Sequence, residues 1–79
     1  MKPEEAFGIV LKQLRSDSGF SQEQLAHSCD LDRTFISMLE RGQRQPSLAS
    51  ILTIAGSLKI PAYKLIQLTT DLIDENKED

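Results

Sequence analysis

Residues 31–44, LDRTFISMLERGQR, carry the side chains in this chain best suited to recognising another molecule. They include arginine guanidiniums and hydroxyl groups, which bind partners through charge and hydrogen bonds. If the segment is a helix, Ile36 and Leu39 face a core, while the large apolar side chains of Phe35 and Met38 lie on other sides. Either this helix is buried nearly all round, or its outer face contacts a partner.

The charge of the chain is unevenly distributed around this segment. A net charge of −3 and a pI near 5.0, taken alone, argue against a nucleic-acid partner. From Arg33 to Lys64, however, there are five basic residues against one acid, Glu40. Five acids against Lys77 then occupy residues 71–79, so an acidic C-terminal tail can point away from a basic face.

Residues suited to catalysis or metal binding are scarce. The chain has one histidine, His27, and one cysteine, Cys29, which cannot assemble a catalytic constellation. Asp30 and Asp32 lack the further ligands of a calcium loop, and are predicted to form a turn and a helix cap. We expect no enzymatic activity, metal, cofactor or small-molecule ligand.

The chain also lacks the features of a membrane or exported protein. No apolar run approaches the roughly 20 residues that span a bilayer, and the N-terminus has no signal-peptide core. A cytoplasmic protein with no membrane partner is therefore expected. Its 79 residues suit a single domain, 1–79, with one modest core.

Helical periodicity predicts an all-α fold of five helices. The first helix opens near Pro3 and ends at Ser18-Gly19, with an apolar stripe at spacings i, i+3, i+4 and i+7. The fourth is capped by Ser47 and the fifth opens at Pro61. The predicted stripes are Phe7, Val10, Leu11 and Leu14 in the first helix, Leu48, Ile51, Leu52, Ala55 and Leu58 in the fourth, and Leu65, Leu68 and Leu72 in the fifth.

The second and third helices are short and closely spaced. Ser21 and Gln24 form a capping-box pattern, which predicts a helix from about Gln22 to Ser28. Asp32 then caps a third helix, which Gly42 is placed to end. Two helices of about two turns, separated by three or four residues, are typical of a helix-turn-helix.

The ordered motifs of the chain resemble the Xre/lambda-repressor family of helix-turn-helix DNA-binding proteins, over about residues 6–68. The matching features are Ser21-Gln22, Leu25-Ala26, Leu31, Ile36-Ser37, Leu39-Glu40-Arg41-Gly42, Pro46-Ser47, Leu58 and Ile60. The resemblance implies a compact five-helix domain that binds double-stranded DNA, with an ion pair between Arg15 and Glu40. The turn residue that is usually glycine in the family is Asp30 here, so we expect it to adopt a positive φ.

The resemblance also places the third helix in the major groove. The residues then expected to read bases are Arg33, Thr34, Phe35, Ser37 and Met38. Those expected to contact phosphates are Gln22, Arg41, Gln43, Arg44 and Gln45. Whether Met38 contacts bases or packs inside the domain is left open by the sequence.

A single short helix offers little specificity, so we expect a homodimer on a pseudo-palindromic operator. Part of an apolar surplus in the last two helices is predicted to form its interface: Ile54, Ile60, Tyr63, Leu65, Ile66 and Leu68. The small size and the segment LDRTFIS resemble the controller proteins of restriction–modification systems. Antitoxins, phage Cro or repressor proteins, and a protein-interaction module on the same fold are the alternatives.

Overall fold

The computed structural model describes residues 1–77, which form five helices and no strand. The all-α, five-helix prediction is confirmed. The helices are α1 (Pro3–Asp17), α2 (Gln22–Cys29), α3 (Arg33–Glu40), α4 (Leu48–Leu58) and α5 (Ala62–Glu75). Helix α1 packs against α3 and α5, α2 packs against α3 and α4, and α4 packs against α5.

The start of each short helix follows the cap predicted from the sequence. The Ser21 hydroxyl accepts a hydrogen bond from the Gln24 backbone N–H at 3.0 Å, and the Gln24 side chain accepts one from the Ser21 N–H at 2.8 Å. The Asp32 carboxylate accepts a hydrogen bond from the Thr34 N–H at 2.7 Å. Asp30 has φ 56° and ψ 41°, so this aspartate takes the left-handed conformation of the turn, as predicted.

The core lies where α1, α2 and α3 meet α4 and α5. Leu25, Ile36 and Leu39 are fully buried in it, and each contributes roughly 1.5 to 3 kcal/mol through its burial. Ala26 is also buried beside them, where a larger side chain would separate the two short helices. The buried cluster consists of Phe7, Val10, Leu11, Leu25, Ala26, Cys29, Ile36, Leu39, Ile54, Ala55, Leu58 and Leu65.

The predicted apolar stripe of α4 was right at Ile51, Ala55 and Leu58, wrong at Leu48 and Leu52, and lacked Ile54. Leu48 and Leu52, assigned to the core, are 72% and 54% exposed, whereas Ile54 is fully buried. The inward face is Ile51, Ile54, Ala55 and Leu58, which fits the same i, i+3, i+4, i+7 spacing. Because α4 is apolar on several sides, both stripes satisfy helical periodicity, and only packing against α2 and α5 selects one.

Helices α1 and α3 approach closely at Gly8. A Cβ atom built on Gly8 would lie 2.7 Å from the carbonyl oxygen of Glu40, and closer still to that of Leu39. Both atoms belong to the backbone of the last turn of α3, so no side-chain movement relieves the contact. The absence of a side chain at Gly8 therefore sets how near α3 lies to α1.

The predicted acidic tail begins within α5. Asp71, Asp74 and Glu75 are exposed on the last turns of this helix. Glu78 and Asp79, the remaining acids of that prediction, lie outside the described residues. This charge is therefore carried largely by a helix.

Candidate nucleic-acid interface

The outer face of α3 is a polar stripe opposite the buried face. Thr34, Ser37, Met38 and Arg41 follow the spacing i, i+3, i+4 and i+7, so they point to one side of the helix. Thr34 and Arg41 are exposed, while Ser37 and Met38 are partly exposed. Because the opposite face is buried, the stripe is the side of α3 that a partner can reach.

Arg33 stands at the first turn of α3, beside this stripe. Its side chain is exposed, and within residues 1–77 no salt bridge or side-chain hydrogen bond occupies its guanidinium. The neighbouring Asp32 carboxylate is engaged by the Thr34 N–H at 2.7 Å. The cap thus fixes the start of the helix and leaves the arginine fork available.

Phe35 and Met38, the large apolar residues expected away from the inward face of α3, differ in environment. Phe35 is partly buried and packs against the core cluster, and the Arg44 guanidinium carbon lies 5.6 Å from the centroid of its ring. Met38 is partly exposed and is not among the apolar side chains that pack against the buried cluster. Phe35 therefore combines packing with an outward contact, whereas Met38 belongs to the outer stripe.

Glu40 joins three helices through its buried carboxylate. This side chain is 2% exposed and accepts hydrogen bonds from Arg15 Nε at 2.5 Å and Nη2 at 3.1 Å. Arg15 Nη1 also donates to the Phe20 carbonyl at 2.8 Å. The hydrogen bond to Glu40 raises the pKa of Arg15, with burial acting in the opposite direction, so the guanidinium stays charged. The ion pair predicted between Arg15 and Glu40 is present.

Gln22, predicted to contact phosphate, is held by the same carboxylate. Its Nε2 donates to Glu40 Oε1 at 3.0 Å. One amide N–H is thereby used inside the protein, and the second N–H remains, together with the backbone N–H groups at the start of α2. No local sequence pattern indicates this link, because it joins residues 18 positions apart.

The loop after α3 is anchored on both sides of Arg44. The Gln43 N–H donates to the Met38 carbonyl at 2.9 Å, and the Gln45 side chain donates to Glu4 Oε2 at 2.8 Å. Gly42, with φ +72°, lies against α1, where an added Cβ would be 3.2 Å from Glu5 Cα. Gln45 was predicted to contact a phosphate, but its amide nitrogen already donates to Glu4 on α1.

From Arg33 to Pro46 the charge of the chain is positive. Arg33, Arg41 and Arg44 are exposed around α3, and the single acid between residues 33 and 46, Glu40, is paired with Arg15. An exposed helix with hydroxyl groups, arginine forks and no free carboxylate of its own is suited to the edges and phosphates of a nucleic acid.

Comparison with known families identifies this arrangement. The family model described as "Helix-turn-helix domain" matches residues 8–70, which include all of α2, α3 and α4. The chain belongs to the helix-turn-helix domain family. Helices α2 and α3 are its helix-turn-helix, and the second helix of this motif, here α3, is termed the recognition helix.

Relatives of this helix-turn-helix domain include proteins named as control proteins and a restriction–modification controller protein. Control protein C.BamHI of Bacillus amyloliquefaciens is 46% identical over 65 residues, which span 81% of this chain and 80% of the relative. Control protein C.MunI of a Mycoplasma species is 42% identical over 60 residues, covering 75% and 81% of the two chains. The crystal structure of the restriction–modification controller protein C.AhdI from Aeromonas hydrophila matches with a TM-score of 0.77 and 44% identity, over 78% of this chain and 94% of that one.

These similarities confirm the resemblance to controller proteins and the class of the molecule, a helix-turn-helix transcription regulator. The relatives are named as control and controller proteins, not as enzymes. No helix in residues 1–77 has the length and apolar character needed to cross a membrane. The same residues contain no group of three or more histidine, cysteine or acidic side chains placed to hold a metal ion.

The predicted dimer residues of this helix-turn-helix domain divide into three groups. Ile54 and Leu65 are fully buried within one chain, so assigning them to an interface was wrong. Ile60 and Leu68 are partly buried against the core, and only Tyr63 and Ile66 are exposed. The sequence reasoning also missed exposed apolar residues of α4, because Leu48 and Leu52 were assigned to the core.

Gly8 is a further residue that sequence reasoning missed. A glycine within a helical pattern costs roughly 1 kcal/mol relative to alanine and usually has a packing reason. That cost was the signal in the sequence. The reason is the approach of the last turn of α3, which places the recognition helix relative to α1.

Proposed function

We propose that this regulator controls a restriction–modification system in the cytoplasm by binding a pseudo-palindromic operator as a homodimer. The observation that carries the proposal is the outer face of α3, with Thr34, Ser37 and Met38 in one stripe and Arg33 beside it. The 44% identity to a restriction–modification controller protein, over 78% of this chain and 94% of that one, supports the choice of regulated system.

Base reading in this proposal falls to the first two turns of α3. Arg33 offers a bidentate pair to guanine O6 and N7, an interaction worth roughly 1 to 3 kcal/mol of discrimination. Thr34 and Ser37 offer hydroxyl groups to neighbouring base edges, and Met38 offers an apolar contact to a thymine methyl group. Phe35 is assigned a lesser part in base contact, since its ring already packs against the core and lies near Arg44.

Phosphate contact in this proposal involves groups on both sides of α3. Gln22 presents its remaining amide N–H beside the free backbone N–H groups of the first turn of α2. Arg41, Gln43 and Arg44 follow α3, and all three are exposed. Each phosphate neutralised by an arginine steepens the fall of log affinity with log salt concentration by a slope of about 0.9.

The dimer in this proposal uses an apolar surface on α4 and α5, which pack against each other. We define the α4–α5 apolar surface as Leu48, Leu52, Tyr63 and Ile66, the large exposed side chains of these two helices. We expect a two-fold axis through this surface, with the two copies of α3 on the same side of the DNA. Half-sites about one helical turn, or roughly 34 Å, apart are then expected.

Selection from random DNA duplexes tests the proposal. The intact chain should enrich a two-fold-related sequence, and Arg33→Ala should relax preference at one guanine in each half-site. Gln22→Ala should weaken binding to all sequences more evenly, because a phosphate contact carries no direct sequence information. Equal, uniform losses in both variants would contradict this division of roles, and failure to enrich any sequence at low salt would refute DNA recognition.

The genes beside this one distinguish the proposed system from other regulators of the same fold. A neighbouring endonuclease and methyltransferase pair is expected. A toxin gene in that position would contradict the controller role and favour an antitoxin, while leaving operator binding intact.

A further inference from the structure

The contact between Phe35 and Arg44 joins the recognition helix to the loop that follows it. Phe35 lies on α3, and Arg44 lies in the loop before α4. The guanidinium carbon is 5.6 Å from the ring centroid, within the distance of about 6 Å at which a cation is attracted to the negative face of an aromatic ring. Within residues 1–77, neither salt bridge of the structure involves Arg44.

The platform beneath Arg44 is fixed. Phe35 is partly buried and packs against the buried cluster, and close packing of this kind holds a side chain in one rotamer. The backbone on either side of Arg44 is also restrained, by the Gln43 N–H bond to Met38 and by the Gln45 side-chain bond to Glu4. These bonds restrain the backbone beside Arg44, and the ring of Phe35 lies within cation–π distance of its guanidinium.

We propose that Phe35 is a positioning residue that holds the Arg44 guanidinium ready for a DNA phosphate. This inference rests on the proposed function, and it gives Phe35 a main role other than its lesser part in base contact. A cation is attracted to a ring face through its charge, so this contact does not use the N–H donors of Arg44, which are available for hydrogen bonds to a phosphate. A phosphate at the edge of the groove then meets an arginine that is already ordered.

The gain in DNA affinity comes from conformational entropy. Ordering a flexible side chain on binding costs about 0.5 to 1.5 kcal/mol, and a residue ordered beforehand avoids much of this cost. That range corresponds to about a two- to twelvefold change in affinity for each Arg44 that binds. In a dimer the effect applies once per half-site.

A double-mutant cycle on the selected operator tests the pair. Phe35→Leu keeps an apolar side chain against the core but removes the ring face, and should weaken binding about two- to twelvefold per half-site. Arg44→Ala should weaken binding at least as much and lower the salt dependence. In the Phe35→Leu background, Arg44→Ala should cost less than in the wild type, because the preorganised contact is already lost.

Arg41 provides the matched control. It is exposed at the other end of the same turn, and its Nε donates to the Ser37 carbonyl at 3.3 Å, whereas the arginine over the Phe35 ring is Arg44. The effects of Phe35→Leu and Arg41→Ala on the free energy of binding should therefore add. Phe35→Tyr, which keeps the ring face, should retain near-wild-type affinity. Additive effects of Phe35→Leu and Arg44→Ala, or a failure of Phe35→Tyr to retain affinity, would overturn the inference.

Nuclear magnetic resonance separates this role from a general effect on folding. In the free protein the Arg44 side-chain protons should be shifted upfield by the ring, and Phe35→Leu should abolish this shift while core resonances remain dispersed. Absence of the upfield shift in the wild type would contradict the contact in solution. If the wild type binds no DNA sequence, the proposed function fails; if it binds selectively and the cycle is additive, only the positioning role fails.

Discussion

Replacing Gly8 by alanine tests how the recognition helix is placed. Helix propensity alone predicts a gain of about 1 kcal/mol in the free energy of unfolding. The structure predicts the opposite, because the new Cβ would lie 2.7 Å from the Glu40 carbonyl oxygen and nearer still to that of Leu39. Overpacking costs about 1 to 3 kcal/mol, and the upper part of that range applies where backbone must move.

The net expectation for Gly8→Ala is a loss of about 1 to 2 kcal/mol, the difference between these two effects. For a domain of this size the melting temperature should fall by about 4 to 16 °C. Affinity for the operator should also fall, because α3 must move away from α1 to admit the methyl group.

Gly56→Ala is the matched control for this experiment. Gly56 lies within α4 and is exposed, and a Cβ added there would meet no other atom within 4 Å. Alanine there should raise the free energy of unfolding by up to about 1 kcal/mol. Thermal unfolding followed by circular dichroism, at one protein concentration for all variants, measures both effects. Equal stabilisation by the two substitutions would refute the close approach of α1 and α3.

Three further predictions concern other parts of the fold. Asp30→Gly and Lys59→Gly should each raise the free energy of unfolding in urea by about 0.5 to 1 kcal/mol. Both residues have a positive φ, 56° and 59°, which glycine adopts without a Cβ penalty, so a loss of stability in either variant would contradict the turn geometry. Glu40→Ala should cost about 3 kcal/mol, since it leaves Arg15 partly buried without its partner. Asp74→Ala removes an exposed ion pair with Lys77 and should change the free energy of unfolding by less than about 0.5 kcal/mol. Similar losses in Glu40→Ala and Asp74→Ala would show that burial of the Arg15–Glu40 pair does not add to its contribution to stability. Leu52→Glu should yield a folded monomer in analytical ultracentrifugation, whereas Ile54→Glu should prevent folding; a dimeric Leu52→Glu would exclude Leu52 from the interface.

Local sequence signals predicted the helices and their caps because each signal acts over three or four residues. Ser21, Gln24 and Asp32 bond to backbone groups in their own first turn, so their effect requires no knowledge of the rest of the fold. The short helices α2 and α3 were therefore placed to within one residue. The outward position of Thr34 and the inward position of Ile36 and Leu39 followed from the helical period alone.

The remaining features depend on packing between distant segments. Periodicity left the phase of α4 undecided, because Leu48, Ile51, Leu52 and Ile54 are all apolar and only neighbouring helices select the inward side. The link from Gln22 to Glu40 and the close approach at Gly8 likewise join residues that are far apart in sequence. The Gln22–Glu40 hydrogen bond also shows that one N–H of the Gln22 amide is already used inside the protein, which no local pattern predicts.

Methylation interference on the selected operator tests the central claim, that α3 reads bases in the major groove, most directly. Guanine N7 faces the major groove and adenine N3 faces the minor groove, so methylation at each atom reports on a different groove. We predict that N7 methylation of one guanine in each half-site blocks binding of the wild type, and that Arg33→Ala loses this sensitivity. Binding that tolerates N7 methylation throughout the site, but is blocked by methylation at adenine N3, would contradict the account.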